Sequence, residues 1–307
     1  MDLDKKDSIK NGSEQIIHIA CAIDNSYAMM ATTMIKSLEQ TQKSNEKIHI
    51  FIIDNGLTRM SRLKLQKSIN PSKIQLEWLN VNEESLRQLN LDNYYKSLTT
   101  HYYRLLIPYL LPDKLSKVIY LDSDLLILKD MSTLWNQDFE DNIVYAVQDS
   151  RIKYVSSSWG GINNYKELGL NAKNKFFNTG VLLIDLKKWK EENISEKVIR
   201  CNEENKPYVK YWDQYGLNVI LSDKWKELDP CWNQFPEITG VDPFILHYVG
   251  RKPIDKDYDG EGKDLFLKYL EMTKWRLYEQ GPFIKIGKKI ISSFTIFELA
   301  VLLRGFR

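Results

Sequence analysis

The sequence predicts an α/β fold, a parallel sheet with helices on its faces. Three observations carry this. Short apolar runs that meet acidic residues, IIHIACAID, KIHIFIID and KVIYLDSDLLIL, have the length and content of buried strands. Segments of helical spacing fall between them. Apolar residues make up 43% of the 307 positions and charged residues 27%, the balance of a packed chain long enough for one large domain or a domain with an appendage.

Taken in order, MDLDKKDSIKNGSEQ is a polar tail over residues 1–15 without the apolar centre of a signal peptide. IIHIACAID is a strand ending at Asp24, and YAMMATTMIKSLEQT continues as a helix. KIHIFIID and IQLEWL repeat the strand pattern, and TRMSRLKLQKSI between them is a helix with Thr58 as its N-cap. YYRLLIPYLL is a helix made irregular by Pro108. KVIYLDSDLLIL then gives a continuous apolar run that carries Asp122 and Asp124 at a strand's C-terminal end. NIVYAV, FFNTGVLLIDL and FILHYV predict further strands, and KKWKEENISEKVI and WDQYGLNVIL helices. Residues 16–262 make the main domain; 263–307 form a helical, basic and apolar appendage broken at Gly281-Pro282.

Lysine and arginine (43) nearly balance aspartate and glutamate (41), so the global charge asks for no nucleic acid. Cys21, Cys201 and Cys231 are far apart with no CxxC pair, which predicts free thiols, a reducing compartment and a cytoplasmic chain.

In open α/β sheets ligands bind outside the carboxyl ends of the strands, where Asp24, Asp122 and Asp124 all fall. Two carboxylates one residue apart must be solvated, neutralised or bound to a cation. Oxygen ligands suit magnesium, manganese or calcium. Taken alone, DxD also reads as a solvated acidic turn. Aspartyl-nucleophile phosphatases carry DxD with Thr or Val two residues beyond the second Asp, where this chain has Leu126, and DSDLLILKD lacks the further acids and glycine of an EF-hand loop.

HIACAIDNSYAMMATTMIKSL, HYYRLLIPYLLP, VIYLDSDLLILKDMSTLW, FFNTGVLLIDLKKW, WDQYGLN and LHYVGRKPI, in this order across roughly residues 16–255, resemble family 8 glycosyltransferases. The resemblance implies a GT-A (Rossmann-like) fold, a mixed, mainly parallel sheet flanked by helices with a C-terminal helical appendage. It also implies retaining transfer of a hexose from UDP-glucose or UDP-galactose, with manganese, or magnesium in its place, as the cofactor.

Within that resemblance Asp122 and Asp124 match the metal-holding DxD and His247 the third protein ligand, with Ser123 between the aspartates in the donor-binding set. Ala22, Asp24, Asn25 and Tyr27 match the segment that cradles uridine, and Arg104 the arginine that reaches the donor. Gly250 and Lys252 match the segment that closes on the diphosphate. HYVGRKPI departs from the family's spacing there, with one residue between Gly250 and Lys252 and Ile254 after the proline, so Arg251 shares or takes the lysine's role. Asp149, Asn178, Asp213 and Gln214 match the catalytic positions around the transferred hexose. Apart from the resemblance, His247 reads as a core histidine, Arg104 as a surface helix arginine, and Asp213-Gln214 as a helix N-terminus.

FIKIGKKIISSFTIFELAVLLRGFR is too short and too interrupted to span a bilayer. Residues 283–307 read either as an interfacial helix on the inner face of an anionic membrane or as a helix packed on protein. The expected function is a metal-dependent UDP-hexose glycosyltransferase acting on a glycan, glycolipid or glycoprotein. The alternatives are a catalytically silent UDP-binding scaffold subunit and a sugar nucleotidyltransferase.

Overall fold

The computed structural model describes residues 16–81, 100–238, 240 and 242–276. The expected polar tail, the break at Gly281-Pro282 and the segment 283–307 lie outside the described residues.

The N-terminal half alternates as expected. Strand β1 (Ile16–Asp24) leads into helix α1 (Ala28–Thr41), β2 (Lys47–Asn55) into α2 (Arg59–Ser68), and β3 (Ile74–Asn80) follows. Thr58 caps α2, its Oγ1 accepting from Ser61 N at 3.1 Å. Pro108 sits in the first turn of a short helix α3 (Ile107–Leu110), and the residues before it, Thr100–Leu106, wind as a 3₁₀ helix. A proline ring excludes an amide donor, so the tighter turn stops where the α turn starts.

KVIYLDSDLLIL is two strands instead of one. Lys117–Leu121 forms β4, residues 122–124 turn, and Leu125–Ile127 forms β5 in a different sheet. After helix α4 (Ser132–Trp135) come β6 (Val144–Gln148) and β7 (Phe177–Asp185). KKWKEENISEKVI also divides, into α5 (Leu186–Glu191) and α6 (Ile194–Glu204), because Asn193 takes φ +52°, a left-handed conformation that asparagine tolerates and a helix does not. Helix α7 (Asp213–Ile220), β8 (Trp225–Glu227), β9 (Ile245–His247) and helix α8 (Lys263–Glu271) complete the described chain; β8 has no counterpart in the sequence reading.

The main sheet has seven strands in the order β3-β2-β1-β4-β7-β6-β8. β1 pairs parallel with β2 and β4, β2 with β3, and β6 with β8, while β7 runs antiparallel to both β4 and β6. The sheet is therefore mixed and mainly parallel. Its chain order reverses between β1 and β4, which opens a crevice at their carboxyl ends. Because β7 alone runs downward, its first residues reach the same edge as the last residues of β1, β4 and β6.

Both faces of the sheet are covered, which explains the unbroken apolar runs. Ile17, Ile19, Cys21 and Ile23 of β1 join one core layer, with α1; Ala20 and Ala22 join the other, with Leu105 and Ile107. The small second sheet pairs β5 with β9 in antiparallel register, Leu125 opposite His247. Its inner edge is satisfied by α1, where Ser37 Oγ accepts from Ile127 N at 2.9 Å. α8 packs beside it through Phe266 and Leu270, against Met30, Leu126 and Tyr248.

Candidate active site

The crevice is a cleft of two adjoining cavities, about 400 Å³ and 340 Å³, that share Tyr27, Arg104, Asp122, Asp124 and Trp212 as lining. The first is closed at its base by Ala22 and Asp24 of β1. Asp24 Oδ1 accepts from the backbone N–H of Ser26 (2.8 Å) and Tyr27 (3.0 Å), an Asx turn that ends the strand and starts α1. Asn25 is placed otherwise than expected. It does not line the cleft; its Oδ1 accepts from Thr58 N at 3.1 Å and Ser61 Oγ at 2.7 Å, which ties α2 to the β1 turn.

Asp122 continues the β4–β7 ladder, its N–H donating to Gly180 O at 2.8 Å. Oδ1 accepts from Tyr120 Oη at 2.7 Å and from an Arg104 guanidinium nitrogen at 3.0 Å. Asp124 is held by β9, since its carbonyl accepts from Tyr248 N at 3.0 Å. His247 Nε2 lies 3.4 Å from Asp124 Oδ1 and 3.9 Å from Asp122 Oδ2. One ligand atom from each of Asp122, Asp124 and His247 falls within 4.8 Å of the others, the only such group of three or more among the described residues. Two carboxylate oxygens and an imidazole nitrogen at that spacing fit a divalent cation.

Lys252 reaches this cluster despite the altered spacing of its loop. Its Nζ is 2.5 Å from Asp124 Oδ2 and 2.5 Å from Tyr248 O, and Gly250 at φ +89° makes the preceding bend. Arg251 points away, its guanidinium donating to Asp257 O at 3.3 Å. Burial pushes the Asp124 carboxyl upward, but His247 and Lys252 together outweigh it and hold it well below the usual carboxylate range.

The second cavity is built from β6, β7 and α7. Arg104 is buried rather than on a helix surface and bridges the two halves, with Nε 2.9 Å from Asp213 Oδ2 while another nitrogen holds Asp122. Burial raises the Asp213 pKa to about 7, against the pull of Arg104 and with the push of the Asp122 charge. Asp149 Oδ1 accepts from the N–H groups of Arg151 and Ile152, both at 2.9 Å, and Oδ2 from Asn178 Nδ2 at 3.2 Å. Gln214 Oε1 accepts from Thr179 N at 3.2 Å and from Thr179 Oγ1 and Asn178 Nδ2, each at 3.3 Å. Asp149, Asn178, Asp213 and Gln214 thus line one cavity. Ser123, Gly250 and Lys252 also line the cleft.

Several residues were missed. Tyr120 and Asn55 line the first cavity, Trp159 and Tyr211 the second, and Trp212 both. Tyr211 and Trp212 hold positive φ (56° and 48°) immediately before Asp213, a strained approach to α7. Asn233, 4% exposed, touches both His247 and Asn178. Tyr120 and Trp212 lie inside quoted motifs but carry no signal of their own there; Asn55, Trp159, Tyr211 and Asn233 stand in none, and the adjacent aromatics Tyr211-Trp212 alone do not say cleft.

The arrangement offers carboxylates and an imidazole for a cation, a lysine beside them and an amide-rich wall. Comparisons with known proteins bear on the family and the fold. The chain is 29% identical over 285 residues to General stress protein A of Bacillus subtilis, covering 85% of this chain and 96% of that one. It is 29% identical over 223 residues to a putative glycosyltransferase of Haemophilus influenzae, covering 72% and 64% respectively. Among solved structures, the galactosyltransferase LgtC in complex with donor and acceptor sugar analogues superposes with a TM-score of 0.71 at 24% identity, over 84% of this chain and 96% of that one, so the fold is the GT-A fold. Residues 18–256 match the model of glycosyl transferase family 8, and the chain belongs to that family: it is a glycosyltransferase.

Proposed function

We propose that the chain transfers a hexose, glucose or galactose, from a UDP-sugar to a glycan, glycolipid or glycoprotein acceptor with retention of anomeric configuration, using manganese or magnesium. The observation that carries this reading is the convergence of Asp122, Asp124 and His247 within 4.8 Å at the sheet's switch point, beside the Asp149–Asn178–Gln214 wall. A divalent cation held there by these three side chains supplies charge neutralisation for the departing diphosphate.

The protein's own groups supply the rest. Tyr27 and the Asp24 turn form the end of the cleft suited to a base and ribose, and Lys252 is a point charge placed for phosphate oxygens. Arg104 keeps Asp122 and Asp213 at fixed separation. Gln214, an amide, is a poor nucleophile, so retention follows from departure and attack on one sugar face, with the leaving phosphate oxygen taking the acceptor's proton. The Gln214 carboxamide is fixed against β7 by Thr179 and Asn178, and a dipole fixed before reaction stabilises positive charge on the sugar without reorganising.

Incubation with UDP-glucose or UDP-galactose, with and without manganese, is the test. Metal-dependent UDP release from one donor, abolished in Asp122→Ala/Asp124→Ala, is expected. UDP binding without any turnover would mark a silent scaffold subunit instead, and no UDP binding would refute the reading. No described helix is long and apolar enough to cross a membrane. We further propose a cytoplasmic chain with peripheral contact through residues 283–307; deleting them should lower co-sedimentation with anionic vesicles, and unchanged binding would exclude it.

A further inference from the structure

We infer that Asn233 is a positioning residue for the cation: a hydrogen-bond chain that starts at the backbone N–H of Gly180 fixes the proton of His247 on Nδ1 and leaves Nε2 to face Asp122 and Asp124. This rests on reading those three side chains as a divalent-cation site.

Polarity runs one way along the chain. A backbone N–H can only donate, and Gly180 N is 2.9 Å from the amide oxygen of Asn178, so that atom is an acceptor. The same oxygen takes a second bond at 2.8 Å from Asn233, which must present its NH₂ there. The Asn233 carboxamide is thereby oriented, and its Oδ1 faces His247 Nδ1 at 2.8 Å. Two acceptors cannot share that distance, so Nδ1 carries a proton. Reversing Asn233 would set oxygen against oxygen at Asn178, and Asn178 cannot reverse because Gly180 N–H and Asp149 Oδ2 hold its two ends.

The links are sequestered: Asn178, Asn233 and His247 are 7%, 4% and 4% exposed, so water does not substitute for a lost partner. The backbone carrying Asn233 is locked to β9, with Gln234 N donating to Ile245 O at 3.0 Å and His247 N to Gln234 O at 2.8 Å. Phe235 stands edge-on to the imidazole at 5.6 Å and 86°, which limits its rotation. Without Asn233, a neutral His247 would place its proton on Nε2, where Asp124 Oδ1 accepts it, and a cation would have to displace that proton first.

The experiment uses the full chain and Asn233→Leu, which matches shape without polarity, and Asn233→Asp, which keeps an acceptor oxygen. ¹⁵N-histidine labelling is simple with four histidines in the chain. Long-range ¹H–¹⁵N spectra at pH about 8.5, where a free imidazole is neutral, read the tautomer, and Mn²⁺ titration followed by electron paramagnetic resonance reads affinity. Expected are a protonated Nδ1 in wild type, its loss in Asn233→Leu with Mn²⁺ binding about 10–100-fold weaker, and retention of the Nδ1 proton in Asn233→Asp. A bare Nδ1 in wild type, or an Asn233→Leu chain that binds Mn²⁺ as wild type does, would overturn the inference. Failure of wild type to bind Mn²⁺ would instead overturn the cation site, with the spectra still deciding the tautomer.

Discussion

At the scale of single residues the site depends on one missing side chain as much as on those present. A Cβ added at Gly180 would lie 2.3 Å from His247 Cε1 and 2.7 Å from Nδ1, closer than any tolerated contact. Gly180→Ala should therefore push the imidazole off the cluster and weaken Mn²⁺ binding about tenfold or more, measured by titration calorimetry; unchanged affinity would mean the ring has room to yield. The metal-ligand candidates were legible because DxD and HxxG sit in ordered motifs at strand ends. Asn178 was legible as a site residue but not in its contacts: its oxygen accepts from Gly180 and Asn233, and its NH₂ serves Asp149 and Gln214, so it braces the wall. Asn233 was invisible, because PCWNQF has neither periodicity nor charge and its partners come from β7 and β9. Asn25 is the reverse case, a motif residue whose side chain ties α2 to the β1 turn.

At the scale of elements, apolar runs told which segments are strands but not their direction or partners. β7 reads like its parallel neighbours, yet it is antiparallel, and that reversal brings Asn178 to the cleft. The break between β4 and β5 was hidden because the acidic turn lies inside apolar sequence. The turn beyond β5 is fastened by Asp130, which accepts from Lys43 N and Ser44 N, both at 2.8 Å, and from Ser132 N at 2.9 Å. Burial raises the Asp130 pKa, but these bonds and that of Ser132 Oγ outweigh it and hold the carboxyl at about 2. A carboxyl lower in the folded chain than its unfolded value near 3.9 contributes stability above that pH and loses it as pH falls through about 2. Asp130→Ala should thus lower Tm at pH 7, with the gap to wild type closing between pH about 4 and 2; a gap independent of pH would assign the loss to something other than the charged form.

At the scale of the whole molecule, the cleft draws on β1, β2, β4, β6, β7, β9 and α7, so a nucleotide that fills it binds only the assembled fold. UDP with Mn²⁺ at about 100 times its Kd should stabilise the chain by about 2.7 kcal/mol, seen as a higher Tm that Mn²⁺ with uridine lacking phosphates does not reproduce. Equal shifts would place the diphosphate elsewhere. The β5–β9 register sets Leu125 opposite His247, which joins the two ends of the Asp122–Asp124–His247 cluster across more than a hundred residues of intervening chain. Synthesis runs from the N-terminus, so both aspartates are made well before their imidazole. A fragment released early would carry the DxD turn but neither His247 nor Lys252. The three side chains therefore come together only when a late strand returns to close the loop that the early one opened.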